Sequence, residues 1–293
     1  MTATIPAFAK INLSLEVVGR RADGYHELRT IFQTIDICDT LHFEITQSSA
    51  VELTCDAPTL ETDERNLAVR AALALRRAAG IREGVKIHLE KRIPTGGGLG
   101  GGSSDAGATL LALRRLWRAE ISDPDLQRMA AALGADVPFF LHGGTALGAG
   151  RGDNIETLPD AALPSLIVVN PGVAVPTARI FSELNISLTT QDATRILPAF
   201  PKAVDVRRLP GNDLETAAFR LFPAVAAARA ALLHAGATTA RMSGSGGSVF
   251  GFFENDAKCA EALQSLVGAG WATWKCRPVS RSQYREVFES LRN

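Results

Sequence analysis

The sequence predicts an α+β chain built of two closely packed units, residues 1–160 and 161–293. Three observations carry this. Segments with the two-residue alternation of half-buried strands mix with helical periodicities, but not in strict strand–helix–strand order, which favours packed α+β layers. A second series of elements starts near Ala161. No internal repeat or long low-complexity linker separates the two, and 293 residues suit one large domain or two modest ones.

In the first unit, residues 11–17 (INLSLEV) alternate apolar and polar side chains, as do 40–46, 51–54 and 85–89 (VKIHL). Residues 66–79 are rich in Ala, Leu and Arg and stop at Gly80, the pattern of a helix with a C-terminal glycine. Residues 105–118 place Leu110, Leu113, Leu116 and Trp117 on one helical face. Asp123 and Pro124 supply an N-cap and a first-turn proline for a helix ending at Gly134. Residues 144–158 read as strands around a glycine-rich turn. Within it Asp153 is expected to be a turn aspartate rather than a metal ligand, and Arg151-Gly-Asp153 is no evidence for cell adhesion.

In the second unit, residues 166–170 (LIVVN) form a short buried strand. Residues 213–221 and 223–235 are helical, with Pro223 restarting the helix and Gly236 ending it. Strand 240–242, loop 243–247, strand 248–253, helix 256–267 and strand 271–279 complete the unit.

Bulk properties exclude several classes. Lys plus Arg and Asp plus Glu both number 31, so no net charge draws the chain to nucleic acid or an anionic membrane. No apolar run approaches the length of a membrane span. The four cysteines, Cys38, Cys55, Cys259 and Cys276, form no CxxC pair and read as ordinary thiols of a reducing compartment. The first residues lack the basic region of a signal peptide, and Lys10 interrupts their apolar run. A cytoplasmic address follows as the expectation.

The segment PTGGGLGGGSSD, Pro94 to Asp105, holds six glycines within seven residues. A flexible linker is disfavoured, because a strand and an amphipathic helix flank the run and it contains Leu99. Gly96, Gly98 and Gly101 fit GxGxxG, but no acidic residue ends a second parallel strand about 20 positions on, as a dinucleotide site needs. A phosphate cradle explains more. Glycine lets backbone N–H groups approach an anion without a Cβ in the way. Ser103 and Ser104 at the start of the following helix can cap it or meet phosphate at its positive end. Gly107, inside that helix, implies close packing or close ligand approach. No Walker lysine follows the glycines and no protein-kinase motif set is present, so the reacting charges must come from elsewhere.

Three blocks in order then resemble the GHMP small-molecule kinases. PTGGGLGGGSSD is similar to their ATP loop, Ala9 to Asn12 (AKIN) to their N-terminal block, and SGSGGSVF after Arg241 and Met242 to their third glycine motif. AFAKINLSLEVVGRRADGYHEL, LGADVPFFL and PTARIF resemble the branch that phosphorylates the 2-hydroxyl of a diphosphocytidyl sugar alcohol in non-mevalonate isoprenoid precursor synthesis. The resemblance implies an N-terminal ATP-binding domain, a smaller C-terminal α+β domain and an active site in the cleft between them. It implies a catalytic pair, Asp136 as base and Lys10 as charge stabiliser. From the residues alone, Asp136 can instead cap the turn at Pro138, and Lys10 can be a strand-edge cation. ATP binding falls to Pro94, Gly96, Gly97, Gly98, Leu99, Gly100, Gly101, Gly102, Ser103 and Ser104, with Asn66 at the adenine or simply capping its helix.

Substrate binding falls to Asn12, Tyr25, His26, Thr177, Phe181, Gly244, Ser245, Gly246 and Gly247. Tyr25 and Phe181 are expected to sandwich the cytosine while His26 reads its edge. The glycines of the third motif face the diphosphate or form a plain hairpin turn. Mg²⁺ is expected with ATP, held mainly by phosphates and water rather than by a dedicated protein site. A monomer or weak homodimer is expected. The alternatives are another kinase of the family, acting on homoserine or a mevalonate-type acid, and a nucleotide-binding regulator on the same fold.

Overall fold

The computed structural model describes residues 1–184 and 206–291. Strands β1 (Thr2–Arg20) and β2 (His26–Thr46) form a long antiparallel hairpin, turning at Arg21–Tyr25. The sequence pattern reveals only parts of these strands. Near their centres both faces are buried, residues 9–15 without a break, so the alternation of a half-buried strand vanishes. The C-terminal half of β2 pairs with β4 (Gly84–Glu90), which pairs in parallel with β3 (Val51–Cys55). Its N-terminal half pairs with β5 (Thr145–Gly150), which pairs with β6 (Asn154–Thr157). A second antiparallel sheet runs β10 (Ala272–Cys276), β7 (Leu166–Asn170), β9 (Val249–Phe252), β8 (Thr239–Met242).

Helices α1 (Leu67–Ala79), α2 (Gly101–Leu116) and α3 (Asp123–Leu133) pack with Ile5, Leu41, Phe43 and Leu89 in the first core. A second core lies between the sheets, where Ile11, Leu13 and Ile35 meet Leu166, Val168, Phe250 and Phe252. A third covers the far face of the second sheet with α5 (Glu215–Leu221), α6 (Pro223–His234) and α7 (Asp256–Leu266). The short α4 (Thr177–Ser182) follows Pro176.

Two features depart from the sequence reading. Helix α2 starts at Gly101 rather than Asp105, so Ser103 and Ser104 lie inside its first turn and cap nothing; Gly100, left-handed at φ 72°, is the cap. A further helix, α8 (Arg281–Glu289), opens with a reciprocal cap between Ser280 and Gln283. It leaves the second unit and buries Tyr284 and Phe288 in the first core. Tyr284 Oη there donates to Phe140 O at 2.5 Å. Gly107 packs for steric reasons, since a Cβ would stand 2.6 Å from Phe140 Cβ.

Tyr284→Phe strips the buried Phe140 carbonyl of that donor. It is expected to cost about 1–3 kcal/mol of stability in denaturant unfolding, and unchanged stability would show the bond contributes nothing.

Candidate active site

The site is built around an ammonium group that the fold buries. Lys10 is 2% exposed at the centre of β1, where an unpaired charge would be costly. Its Nζ lies 3.2 Å from Asp136 Oδ2 and donates to Asn12 Oδ1 at 2.6 Å. It also sits 5.4 Å from the centre of the Phe32 ring. Asn12 is fixed in turn, its Nδ2 donating to Thr30 Oγ1 at 2.7 Å and Thr30 Oγ1 donating to Ser14 O at 2.6 Å. Asp136 follows the Gly134–Ala135 turn after α3 and its side chain caps nothing. Its carboxylate keeps 32% exposure and faces a cleft of about 330 Å³.

The two glycine motifs meet beside this pair. Gly98 has φ 73°, and a Cβ there would fall 2.1 Å from Ser243 O. Ser243 Oγ donates to Gly98 O at 2.8 Å, Ser248 N to Gly97 O at 2.9 Å and Lys10 N to Leu99 O at 3.0 Å. Gly97, Gly98 and Gly247 are therefore small because one loop packs on the other, and Leu99 fills the core between the sheets. Gly96 differs: at φ 69° its missing Cβ points into open space. Gly244 approaches the lysine, a Cβ standing 3.4 Å from Lys10 Nζ, while Gly246 packs against Met242 and Val175.

Pro94, Gly96 to Gly98, Gly100 to Gly102, Ser103 and Asn66 line a cleft of about 510 Å³ at the N-terminus of α2. That helix end offers free N–H groups and the positive end of a 16-residue dipole. Asn66 caps α1, its Oδ1 accepting from Ala68 N at 2.9 Å. Ser104 departs from expectation: it is fully buried and its hydroxyl donates to Phe8 O at 2.6 Å, which leaves nothing for a phosphate. Gly96, Gly98, Gly100 and Ser103 line both this cleft and the one holding Lys10 and Asp136.

A third cavity, of about 730 Å³, takes in Tyr25, His26, Thr177 and Phe181. Phe181 stacks on His26, ring centres 4.9 Å apart at 28°. Burial, and then the charge of Arg20, lower the pKa of His26, which keeps the imidazole neutral at pH 7. Tyr25 is 57% exposed. Thr177 Oγ1 and Ser245 Oγ lie 2.7 Å apart, joining this cavity to the third motif. Asp153 takes its own turn residue Arg151 through Nε at 2.9 Å and Nη2 at 2.6 Å.

The family is decided by comparison. The GHMP kinases N terminal domain matches residues 66–144 and the GHMP kinases C terminal domain residues 197–272. The chain is 42% identical to the 4-diphosphocytidyl-2-C-methyl-D-erythritol kinase of Solibacter usitatus, covering 98% of this chain and 92% of the relative. It belongs to the GHMP kinases. The enzyme of the same description from Bordetella bronchiseptica is 46% identical over 85% of this chain and 81% of its own. A solved 4-(cytidine 5'-diphospho)-2C-methyl-D-erythritol kinase superposes with a TM-score of 0.74 at 38% identity, covering 94% of this chain and 98% of its own. This GHMP kinase is thus a small-molecule kinase with ATP as phosphoryl donor.

The sequence pattern carries no sign of an ionic cluster under the glycine loop of this GHMP kinase. Lys91 Nζ joins two buried carboxylates, Asp39 Oδ2 and, at 2.9 Å, Asp105 Oδ2. Asp39 also accepts from the N–H groups of Arg92 and Ile93 at 2.6 and 2.8 Å. Asp105 Oδ1 has no partner among the described residues. Burial, with Asp39 adding repulsion against the pull of Lys91, pushes the Asp105 carboxyl up to about 7. Among the described residues no group of three or more His, Cys, Asp or Glu could hold a metal.

A carboxyl raised in the folded state stabilises below its unfolded pKa and loses that stabilisation as pH climbs to the folded value. Between pH 5 and 7 the wild type should therefore lose up to about 1.4 kcal/mol per pH unit relative to Asp105→Asn. Urea unfolding at several pH values reads this; a constant difference between the two proteins would refute it.

Proposed function

We propose that this GHMP kinase transfers the γ-phosphoryl group of ATP to the 2-hydroxyl of 4-diphosphocytidyl-2-C-methyl-D-erythritol, in non-mevalonate isoprenoid precursor synthesis. One observation carries most of the reading. The glycine-loop cleft and the Lys10–Asp136 cleft share Gly96, Gly98, Gly100 and Ser103, so a nucleotide's terminal phosphate and an acceptor hydroxyl can meet there. The names of the relatives supply the substrate, and the aromatic cavity beside the clefts suits its base.

In this reading ATP places its phosphates on the N–H groups of Gly96 and the first turn of α2. The acceptor hydroxyl lies between Asp136 and the γ-phosphorus. Its oxygen forms the new O–P bond as the bond to the β,γ-bridging oxygen breaks and ADP leaves. A loose transition state needs little deprotonation early, so Asp136 orients the hydroxyl and takes its proton late. Lys10 holds Asp136 in place and offsets charge on the transferring group. Asn12, hydrogen-bonded to Lys10, fixes that ammonium. The three carboxylates lining these clefts are each engaged by a basic side chain, Glu61 by Arg65, Asp105 by Lys91 and Asp136 by Lys10. That supports a Mg²⁺ ion held chiefly by phosphates and water, where it would neutralise phosphate charge. Neutral His26 offers the cytosine edge a donor and an acceptor, with Phe181, Tyr25 and Thr177 around it.

The deciding experiment is ADP release with the cytidylyl substrate, followed by NMR placement of the new phosphate on the 2-oxygen. Turnover of homoserine or mevalonate in its stead would refute the reading. Asp136→Asn is expected to lose about 10²–10⁴-fold in kcat, and Lys10→Ala to lose similarly; near-normal turnover by either would remove it from the chemistry. Methylerythritol phosphate, which lacks the cytidylyl group, should be a far poorer substrate. Equal use of it would leave the aromatic cavity without a role.

A further inference from the structure

The turn Gly150–Asp153 is absorbed neither by the phosphate site nor by the catalytic pair, yet Arg151 borders two cavities. Its side chain lines both the aromatic cavity with Tyr25 and Phe181 and the cleft with Lys10 and Asp136. The guanidinium is anchored on one side. Asp153 accepts from the Arg151 N–H at 3.1 Å, from Nε at 2.9 Å and from Nη2 at 2.6 Å, closing the turn on its own cation. Nη2 also reaches Ala131 O, in α3, at 3.4 Å. On its other side the guanidinium lies over the Tyr25 ring, 5.2 Å from its centre.

Tyr25 needs such support. It stands at the tip of the β1–β2 hairpin after Gly24, 57% exposed. The tip fixes its backbone well: Tyr25 N donates to Asp23 Oδ1 at 3.1 Å and Tyr25 O accepts from Arg21 N at 2.7 Å. Its ring is another matter. Among the described residues the ring contact found for it is Arg151, whereas Phe181 is already backed by His26. The strand register brings them together, since Leu28 pairs with Gly150 and sets the hairpin tip over the Arg151 turn. A ring left to rotate in solvent forms no pocket wall, because stacking a base on it would first cost its rotamer freedom.

We propose that Arg151 is a positioning residue that sets specificity for a base-bearing substrate: clamped by Asp153, its guanidinium holds the Tyr25 ring in place as one wall of the pyrimidine pocket. This inference rests on the proposed function, because it takes the aromatic cavity as the base site. Asp153 does a second thing: it balances the guanidinium charge, so the wall is rigid without being a strong anion trap. Discrimination then favours substrates that carry a flat ring over phosphorylated alcohols that carry none.

The test is a split of kinetic constants in the intact enzyme. Arg151→Met keeps length and loses the fork and the charge. It should raise KM for the cytidylyl substrate about 3- to 30-fold, with KM for ATP and kcat at saturation each within about twofold. Arg151→Lys retains a cation over the ring and should recover part of the loss. In a Tyr25→Ala background, Arg151→Met should add less than about twofold, since the wall it supports is gone. An unchanged cytidylyl KM in Arg151→Met overturns the proposal, as does its full effect in the Tyr25→Ala background, or a parallel rise in the ATP KM. Calorimetry with CDP separates the two levels. If CDP fails to bind the wild type, the base-pocket reading falls and this inference with it. If CDP binds the wild type and Arg151→Met equally, only the role of Arg151 falls.

Discussion

The structure turns on one buried ammonium. Lys10 sits in the middle of β1, sealed by the first sheet on one side and the packed glycine loops on the other. Burying that charge is tolerable only with a carboxylate and a carbonyl oxygen close by. Asp136 supplies the first from the turn after α3, and Asn12 supplies the second from the same strand. Other placements follow. Asn12 must be held by Thr30 on β2, and the third motif must come near enough for Ser243 to bond Gly98 and for Asn12 N to donate to Ser243 Oγ at 3.3 Å. A side chain at Gly98 or Gly244 would hold the loops apart or crowd the lysine.

That requirement alters the meaning of the glycines. Read as sequence, they signal a backbone that must approach an anion. Several of them instead let two segments of the same chain touch, and Gly96 with the first-turn N–H groups of α2 remains for a ligand. The loop is shaped by loop-on-loop contact, and what it can offer an anion is the helix end behind it.

Much of this was legible in the sequence. The periodicities, a short apolar run and the glycine stops marked α1, α3, β4 and β7 closely, and the resemblance, through AKIN and LGADVPFFL, brought Lys10 and Asp136 forward together. The misses have physical causes. Glycine is a poor helix former, so the true start of α2 at Gly101 is hidden inside the glycine run. Strands buried on both faces lose their period, which hid most of β2. From sequence Ser104 can cap the helix or meet phosphate, and only the fold reveals Phe8 O accepting from its hydroxyl. The signals for α8 are local, Ser280 three residues before Gln283 and two aromatics four apart, but its destination is a tertiary fact. The Lys91 cluster and the Arg151 turn likewise join residues whose partners lie 14 to 52 and over 100 positions away, or reach across from another hairpin.

The return of α8 has a bearing on how the molecule comes into being. The first core takes Val279, Tyr284 and Phe288 from the far end of the chain. While a ribosome is still making the second unit, the first therefore lacks part of its interior, with Phe140 O still waiting for the tyrosine hydroxyl. The N-terminal half cannot finish as an independent folding unit ahead of the rest, as sequential domains do. Completion of the first core is tied to synthesis of residues 279–288, so a product truncated before them would be left with that core open.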